Sequence, residues 1–201
     1  MKCLEDYVYT KKLKLDTDEL KDSSMKMYEL LMRLCNNRAP NPNDPYPITT
    51  QMFQRYNILM FPLPGFHDLF LEIQKTFNKV NKDKSYKDEK YYIQCWLNVY
   101  DSRAPSIGWH KHWRTAQKAW HGFYCLNTEP SSTLYRLSNG KQFAIECKDN
   151  LLVIGKSGED EHRSTDWTIK DRPRITIAYD IVPAKFLAPT YDKWLNHWIP
   201  I

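Results

Sequence analysis

No apolar run in the 201 residues approaches the ~20 that a bilayer span requires; the longest candidate, Ile58 to Phe66, is broken by Pro62 and Pro64. The opening residues, MKCLEDYVYT, are too acidic and too short of apolar side chains for a secretory leader. Cysteine pairs are missing as well. The five cysteines (Cys3, Cys35, Cys95, Cys125, Cys147) are odd in number and include no CxxC. That argues against zinc fingers and disulfide scaffolds and suits a reduced, cytoplasmic setting. There is no internal repeat and no low-complexity tract. Charge of one sign is also scarce: 29 basic against 24 acidic side chains leave +5, short of the concentrated charge that by itself marks a nucleic-acid binder. What is present is ordinary globular composition, 42% hydrophobic and 26% charged, with an aromatic excess of 14%. This excludes a disordered, collagenous or coiled-coil chain, and a chain of this length can bury one sizeable core.

The chain reads as a single domain over residues 1–201. Residues 1–89 supply a strand and supporting helices, 90–182 a β core, and 183–201 an aromatic extension that docks on it. Residues 18 to 36 carry Leu20, Met27, Leu31 and Leu34 near helical spacing, with Asp16 or Thr17 available as N-cap. The Pro/Asn segment Arg38 to Pro47 cannot continue that helix. A second helix spans about Gly65 to Val80, where Phe66, Phe70, Ile73, Phe77 and Val80 form one apolar stripe. From Tyr91 the period falls to two. YYIQCWLNVY, AWHGFYCLN, STLYRL, KQFAIEC, NLLVIG and RITIAYDIV are short β-branched and aromatic runs between turn signals, and Asn139-Gly140 predicts a type I′ hairpin. Strands in succession without helices between them predict an antiparallel sandwich, barrel or jelly roll, so the fold class is α+β, mainly β.

Candidate chemistry starts with histidine. Of six in the chain, His110, His112, His121 and His162 fall in the β region. His110 and His112 are two apart, which on a strand turns both imidazoles to one face. A metal site and a pair of exposed polar side chains beside Lys111 and Arg114 both fit that spacing. His162 sits in the charged stretch after NLLVIG, read as a turn. In RPRITIAYDI, Arg174, Thr176, Ala178 and Asp180 share one face, and an arginine with a hydroxyl two residues on makes a fork for a carboxylate. Arg172 is the second candidate anchor. Trp109, Trp113, Trp120 and Tyr124 could wall a pocket or serve as core.

Taken in order, these pieces resemble the iron(II)/2-oxoglutarate-dependent oxygenases, and within them the prolyl-hydroxylase-like group of the type encoded by bacteriophages. The matching elements are Trp96-Leu97-Asn98-Val99, His110-Lys111-His112, His121-Gly122-Phe123-Tyr124, Glu161-His162 and Arg174-Ile175-Thr176-Ile177. They cover about residues 90 to 182. The resemblance implies a double-stranded β-helix of jelly-roll, cupin-like type, with iron(II), 2-oxoglutarate as co-substrate and oxygen. It implies His110 and His162 as iron ligands and Arg174 with Thr176 on the distal carboxylate of 2-oxoglutarate. Asn98 and Tyr124 are expected as further co-substrate contacts. The expected reaction hydroxylates a protein side chain, a nucleobase or a small molecule, with release of succinate and carbon dioxide. No membrane partner is expected, and a viral protein would work in the host cytoplasm.

One position departs from the pattern: where the family carries a carboxylate two residues after the first histidine, this chain has His112. Three readings stand. His112 itself ligates; Asp101 or Asp160 completes the triad; or the position is left to water or an anion, as in halogenating relatives. Two other functions compete with the oxygenase. One is a three-histidine cupin-type dioxygenase that does not use 2-oxoglutarate. The other is a non-catalytic jelly-roll module binding nucleic acid or glycan, for which the net charge and the lysine-rich stretch Lys75 to Lys90 speak, although Asp83, Asp88 and Glu89 interrupt that stretch.

Overall fold

The computed structural model describes residues 1–34, 48–49, 57–81, 89–100, 106–158, 160–187 and 197–201. It opens with strands β1 (Lys2–Leu4) and β2 (Val8–Lys12), helix α1 (Thr17–Leu34), the short β3 (Ile48–Thr49) and helix α2 (Phe66–Val80). Then come β4 (Tyr91–Tyr100), β5 (Trp120–Asn127), β6 (Ser131–Leu137), β7 (Gln142–Cys147), β8 (Leu151–Lys156), β9 (Asp160–Ser164), β10 (Arg174–Pro183) and β11 (Ile199–Pro200). Every pairing is antiparallel. The major sheet runs β1-β2-β8-β5-β10-β4-β11, with β3 on β4; the minor sheet runs β7-β6-β9. The result is a double-stranded β-helix, a jelly roll backed by two helices.

Each helix starts for a local reason. Asp16 Oδ1 accepts from the N–H groups of Asp18 and Glu19, both at 3.1 Å, so Asp16 rather than Thr17 caps α1. Gly65 precedes α2 at φ 80, and a Cβ there would lie 2.8 Å from Leu20 Cδ2, so glycine is what lets α1 approach. The rest of the first predicted helix and the Pro/Asn segment lie outside the described residues, as does most of the charged half of Lys75 to Lys90. No described helix is long and apolar enough to cross a membrane.

Strand β10 sets the layers. Ile175, Ile177, Tyr179 and Ile181 join the helix-facing core with Leu20, Met27, Phe66, Leu69, Ile73 and Phe77. Phe77 meets Tyr91 and Trp120 edge-on at 5.0 and 6.1 Å between centroids, and burying such a ring contributes about 1.5–3 kcal/mol. Alternate residues of the same strands face the minor sheet, where Trp96, Phe123 and Ala178 pack with Tyr7, Tyr135 and Ile145. The site lies in this second, intersheet layer.

Two local expectations need correcting. The β6–β7 turn is not type I′. Leu137 N–H donates to the Lys141 carbonyl at 2.8 Å, which leaves three residues, Ser138 to Gly140, to close the hairpin, one more than a two-residue turn. Gly140 (φ 82) takes the left-handed conformation and Asn139 does not; its Oδ1 instead accepts from Lys141 N–H at 3.0 Å. Nor is His162 in a turn. It stands on β9, paired with Tyr135 of β6. The segment Asp160–Ser164 is poor in β-formers, but it alternates buried and half-buried residues, and tertiary burial of Asp160, His162 and Ser164 outweighs propensity.

Candidate metal centre and adjoining cavity

Four imidazoles meet between the sheets. His110 and His162 are joined backbone to backbone by a single bridge, N–H to O at 3.2 and 3.0 Å, which fixes the loop bearing His110 and His112 against β9. His121 arrives on β5, directly opposite Asp180 of β10. The rings of His112, His121 and His162 lie nearly parallel, with centroids 4.8 to 5.2 Å apart. His110 stands 4.4 Å from His162 at 61°, and Trp96 covers His112 at 6.0 Å.

The hydrogen bonds choose which nitrogen faces outward. His110 Nδ1 is 2.8 Å from the Gly108 carbonyl oxygen, His112 Nδ1 is 2.7 Å from Asp180 Oδ1, and His162 Nδ1 is 2.8 Å from Asp160 Oδ2. An acceptor at each Nδ1 makes that nitrogen the N–H and leaves the Nε2 lone pair free, the usual way an imidazole is prepared for a metal. The ligand atoms of His110, His112 and His162 lie within 4.8 Å of one another. Two metal–nitrogen bonds of ~2.1 Å at tetrahedral or right angles set their nitrogens ~3.0–3.4 Å apart, so the three rings must close in by a side-chain adjustment to share one ion. Imidazole donors suit iron, copper or zinc; the set fits iron(II).

A second group, His121, Asp160 and His162, also has its ligand atoms within 4.8 Å. Its carboxylate is already engaged: Asp160 Oδ1 accepts from the Tyr7 hydroxyl at 2.8 Å and Oδ2 from His162. Asp160 is also absent from the cavity wall, which both His110 and His112 line. The acid that does reach the wall is Asp180, and its oxygens are taken by His112 and by the Trp113 indole N–H at 2.9 Å. Both carboxylates stand one layer behind the imidazoles. Asp101 lies outside the described residues.

Electrostatics follow this arrangement. Burial pulls His110 below the ordinary imidazole value. Burial pulls His112 the same way, but the Asp180 carboxylate outweighs it and the net shift is upward. His162 falls well below the ordinary value because burial, with three neighbouring imidazoles, exceeds the help from Asp160. Burial opposes charge on Asp160, yet His121 and His162 hold its carboxyl below the usual carboxylate range.

The cavity these residues line has a volume of about 430 Å³. Asn98, Thr176 and Arg174 are on its wall, Asn98 and Thr176 paired across β4 and β10. Arg174 is 2% exposed. Its Nε donates to Ser131 Oγ at 2.9 Å, Nη2 approaches Cys147 Sγ at 3.7 Å, and the guanidinium lies over the Tyr100 ring at 5.0 Å. Among the described residues no carboxylate pairs with it. The Cys147 thiol beside it is shifted below its ordinary value, first by a hydrogen bond with Cys125 and then, against the opposing effect of burial, by Arg174.

Other candidates fall elsewhere. Tyr124 belongs to the helix-facing core, where its hydroxyl donates to Asn150 Oδ1 at 2.6 Å; parity along β5 turns it away from the cavity. Trp120 is core as well. Arg172 is exposed, with Nη2 on the Glu129 carbonyl at 3.0 Å. Trp113 lines the cavity, whereas Trp109 is 38% exposed under Arg136 and Arg163. Three participants were not singled out from sequence: His121, Asp180 and Tyr7. Asp180 carried a usable signal, since it shares inner-face parity with Arg174 and Thr176 on β10; His121 has the opposite parity to Trp120 and Tyr124, the candidates on its own strand, and carried none. Tyr7 carried none.

No family model and no curated protein sequence matches the chain. Solved structures do match in shape. A prolyl-4-hydroxylase from Pseudomonas putida is 13% identical, covers 87% of this chain and 92% of its own, and superposes with a TM-score of 0.54. A prolyl hydroxylase from Trichoplax adhaerens, solved with a hypoxia inducible factor oxygen degradation domain peptide fragment, is 10% identical, with 89% and 84% covered and a TM-score of 0.60. The non-heme alpha-ketoglutarate-dependent epimerase SnoN from nogalamycin biosynthesis is 7% identical, with 87% and 76% covered and a TM-score of 0.54. At these identities the likeness is one of fold.

Proposed function

We propose that this chain is an iron(II)- and 2-oxoglutarate-dependent oxygenase of the hydroxylase type. The observation that carries the reading is the pairing of two features on one cavity wall: three imidazoles presenting Nε2, and the buried guanidinium of Arg174 with no described carboxylate partner. A buried cation is costly to leave without an anion. A dicarboxylic keto acid whose keto end reaches the metal would bring that anion to Arg174. The fold shared with proteins named as prolyl hydroxylases and as an alpha-ketoglutarate-dependent epimerase supports the same reading.

In this proposal His110, His112 and His162 hold the iron. Bound iron(II) with 2-oxoglutarate and oxygen supplies oxidation of a substrate C–H bond, with release of succinate and carbon dioxide. The chain's own residues bind and orient. Arg174 presents a planar fork to the distal carboxylate, which a lysine could not do; Thr176 adds a hydroxyl and Asn98 an amide beside it. Trp96 shields the His112 ring, and Asp180 and Asp160 fix the imidazole tautomers. His112 thus takes the carboxylate's place on the metal, and Asp180 returns a negative charge one layer out. The prime substrate belongs to one of three classes, a protein side chain, a nucleobase or a small molecule. The motif order supports reading the chain as one of the phage-encoded prolyl-hydroxylase-like type, acting in the cytoplasm.

Succinate release tests the proposal. Purified protein with iron(II) and oxygen should convert 2-oxoglutarate slowly to succinate even without prime substrate, and Arg174→Met should abolish this at low 2-oxoglutarate. The second reading, a three-histidine dioxygenase, takes the group of His110, His112 and His162, which among the described residues includes no carboxylate, at face value; oxygen uptake indifferent to 2-oxoglutarate would establish it instead.

A further inference from the structure

The turn joining β1 to β2 reaches the metal centre. Glu5 and Asp6 both adopt left-handed backbone angles, φ 51 and 56, an uncommon conformation for residues with side chains. The next residue, Tyr7, is buried in the intersheet core beside Val8 and Tyr135. Its backbone is tied at both ends of the residue: Tyr7 N–H donates to the Leu4 carbonyl at 3.0 Å, and the Tyr7 carbonyl accepts from Lys156 N–H at 3.4 Å. The Tyr7 hydroxyl then donates to Asp160 Oδ1 at 2.8 Å, across 153 positions of sequence.

Asp160 has few other ways to be held. Its side chain is 1% exposed, and Oδ2 is already given to His162 Nδ1. His121 Nε2 lies 3.4 Å from Oδ1 but makes no hydrogen bond. A buried carboxylate that must stay put needs its acceptors filled, and Tyr7 is the donor that fills Oδ1. We infer that Tyr7 is a positioning residue of the metal centre. Its hydroxyl pins Asp160, Asp160 keeps the proton of His162 on Nδ1, and His162 Nε2 is thereby aimed at the ion. The N-terminal hairpin, which no motif of the β core includes, becomes part of the metal site's support. This inference rests on reading His162 as an iron ligand.

The test is a cobalt(II) titration of the full chain, followed by visible absorption, with apo thermal midpoints measured beside it. Wild type, Tyr7→Phe, Asp160→Asn, the double variant and Tyr9→Phe are compared; Tyr9 shares the hairpin but packs in the helix-facing layer. Losing one supporting hydrogen bond should weaken cobalt binding ~3- to 10-fold in Tyr7→Phe, with a changed band and an apo midpoint close to wild type. Asp160→Asn should weaken it about 10- to 100-fold, the double variant should lose nothing more, and Tyr9→Phe should titrate as wild type. Tyr7→Phe equal to wild type in affinity and spectrum overturns the inference. So does a Tyr7→Phe loss that persists at full size in the Asp160→Asn background, since it would not run through Asp160. Wild-type protein that binds no cobalt overturns the iron reading and this inference together. Nitrogen NMR of the apo wild type gives an answer that needs no variant: His162 protonated on Nδ1 is expected, and protonation on Nε2 would contradict it.

Discussion

At the scale of single residues, the site is defined less by which side chains are present than by where their protons sit. Three imidazoles give up Nδ1 to a carbonyl or a carboxylate and keep Nε2 for a ligand. Asp180→Ala removes the acceptor behind His112 and leaves the Trp113 indole without its partner. Metal affinity should fall about 10- to 100-fold in a cobalt titration, with the sheet signal in circular dichroism kept; unchanged affinity would remove His112 from the ligand set. Arg174→Lys keeps the charge and loses the fork. It should weaken 2-oxoglutarate binding by about tenfold or more while metal affinity stays as it was, measurable by calorimetry on the metal-loaded protein. Much of this was legible in the sequence. His110-x-His112 and the alternation of Arg174, Thr176, Ala178 and Asp180 are local patterns of period two. His121 and Tyr7 were not legible as site residues, because each reaches the centre through pairings distant in sequence (β5 with β10, and the hairpin turn with β9) that no local period encodes.

At the scale of elements, β5 and β10, sandwiched between a helix layer and the minor sheet, wall the site with His121, Asp180, Thr176 and Arg174, while the candidate ligands come from β9 and the loop before β5. Their close approach depends on Gly122. A Cβ there would sit 2.1 Å from the Val153 carbonyl oxygen and 2.5 Å from the Tyr179 hydroxyl, which itself donates to Val153 O at 2.7 Å. Gly122→Ala should therefore push β8 from β5 and lower the thermal midpoint sharply. A variant melting within a degree or two of wild type would show that the strands have slack. Phe77→Ala, in α2, should cost about 3–5 kcal/mol in a denaturant titration without altering metal affinity, since its ring lies on the far side of β5. The helix stripe and the uniformly apolar strands could be read directly from composition and period. Strand β9 could not: an Asp-Glu-His-Arg-Ser run has the chemistry of a loop, and it pairs with β6 because its inner face is already committed to the site.

At the scale of the whole molecule, the candidate metal site lies between two sheets that are held by their own cores. His110, His112 and His162 contribute no apolar mass, and the two main clusters of buried side chains close without them. Chelation should therefore leave a folded apo-protein. Saturation with iron(II) or cobalt(II) at about 100 times Kd should stabilise it by ~2.7 kcal/mol, a rise of roughly 5–10 °C for a chain of this size. Unfolding on chelation would mean that the ion is structural. The measurement that bears most directly on the central claim is an anaerobic titration of the iron(II)-loaded protein with 2-oxoglutarate, watched for the visible charge-transfer band of the bound keto acid. The band should form in wild type, vanish in His110→Ala and His162→Ala, and require much higher 2-oxoglutarate in Arg174→Lys. Iron that binds without any such band, at any 2-oxoglutarate concentration, would contradict the assignment of Arg174 and of the co-substrate.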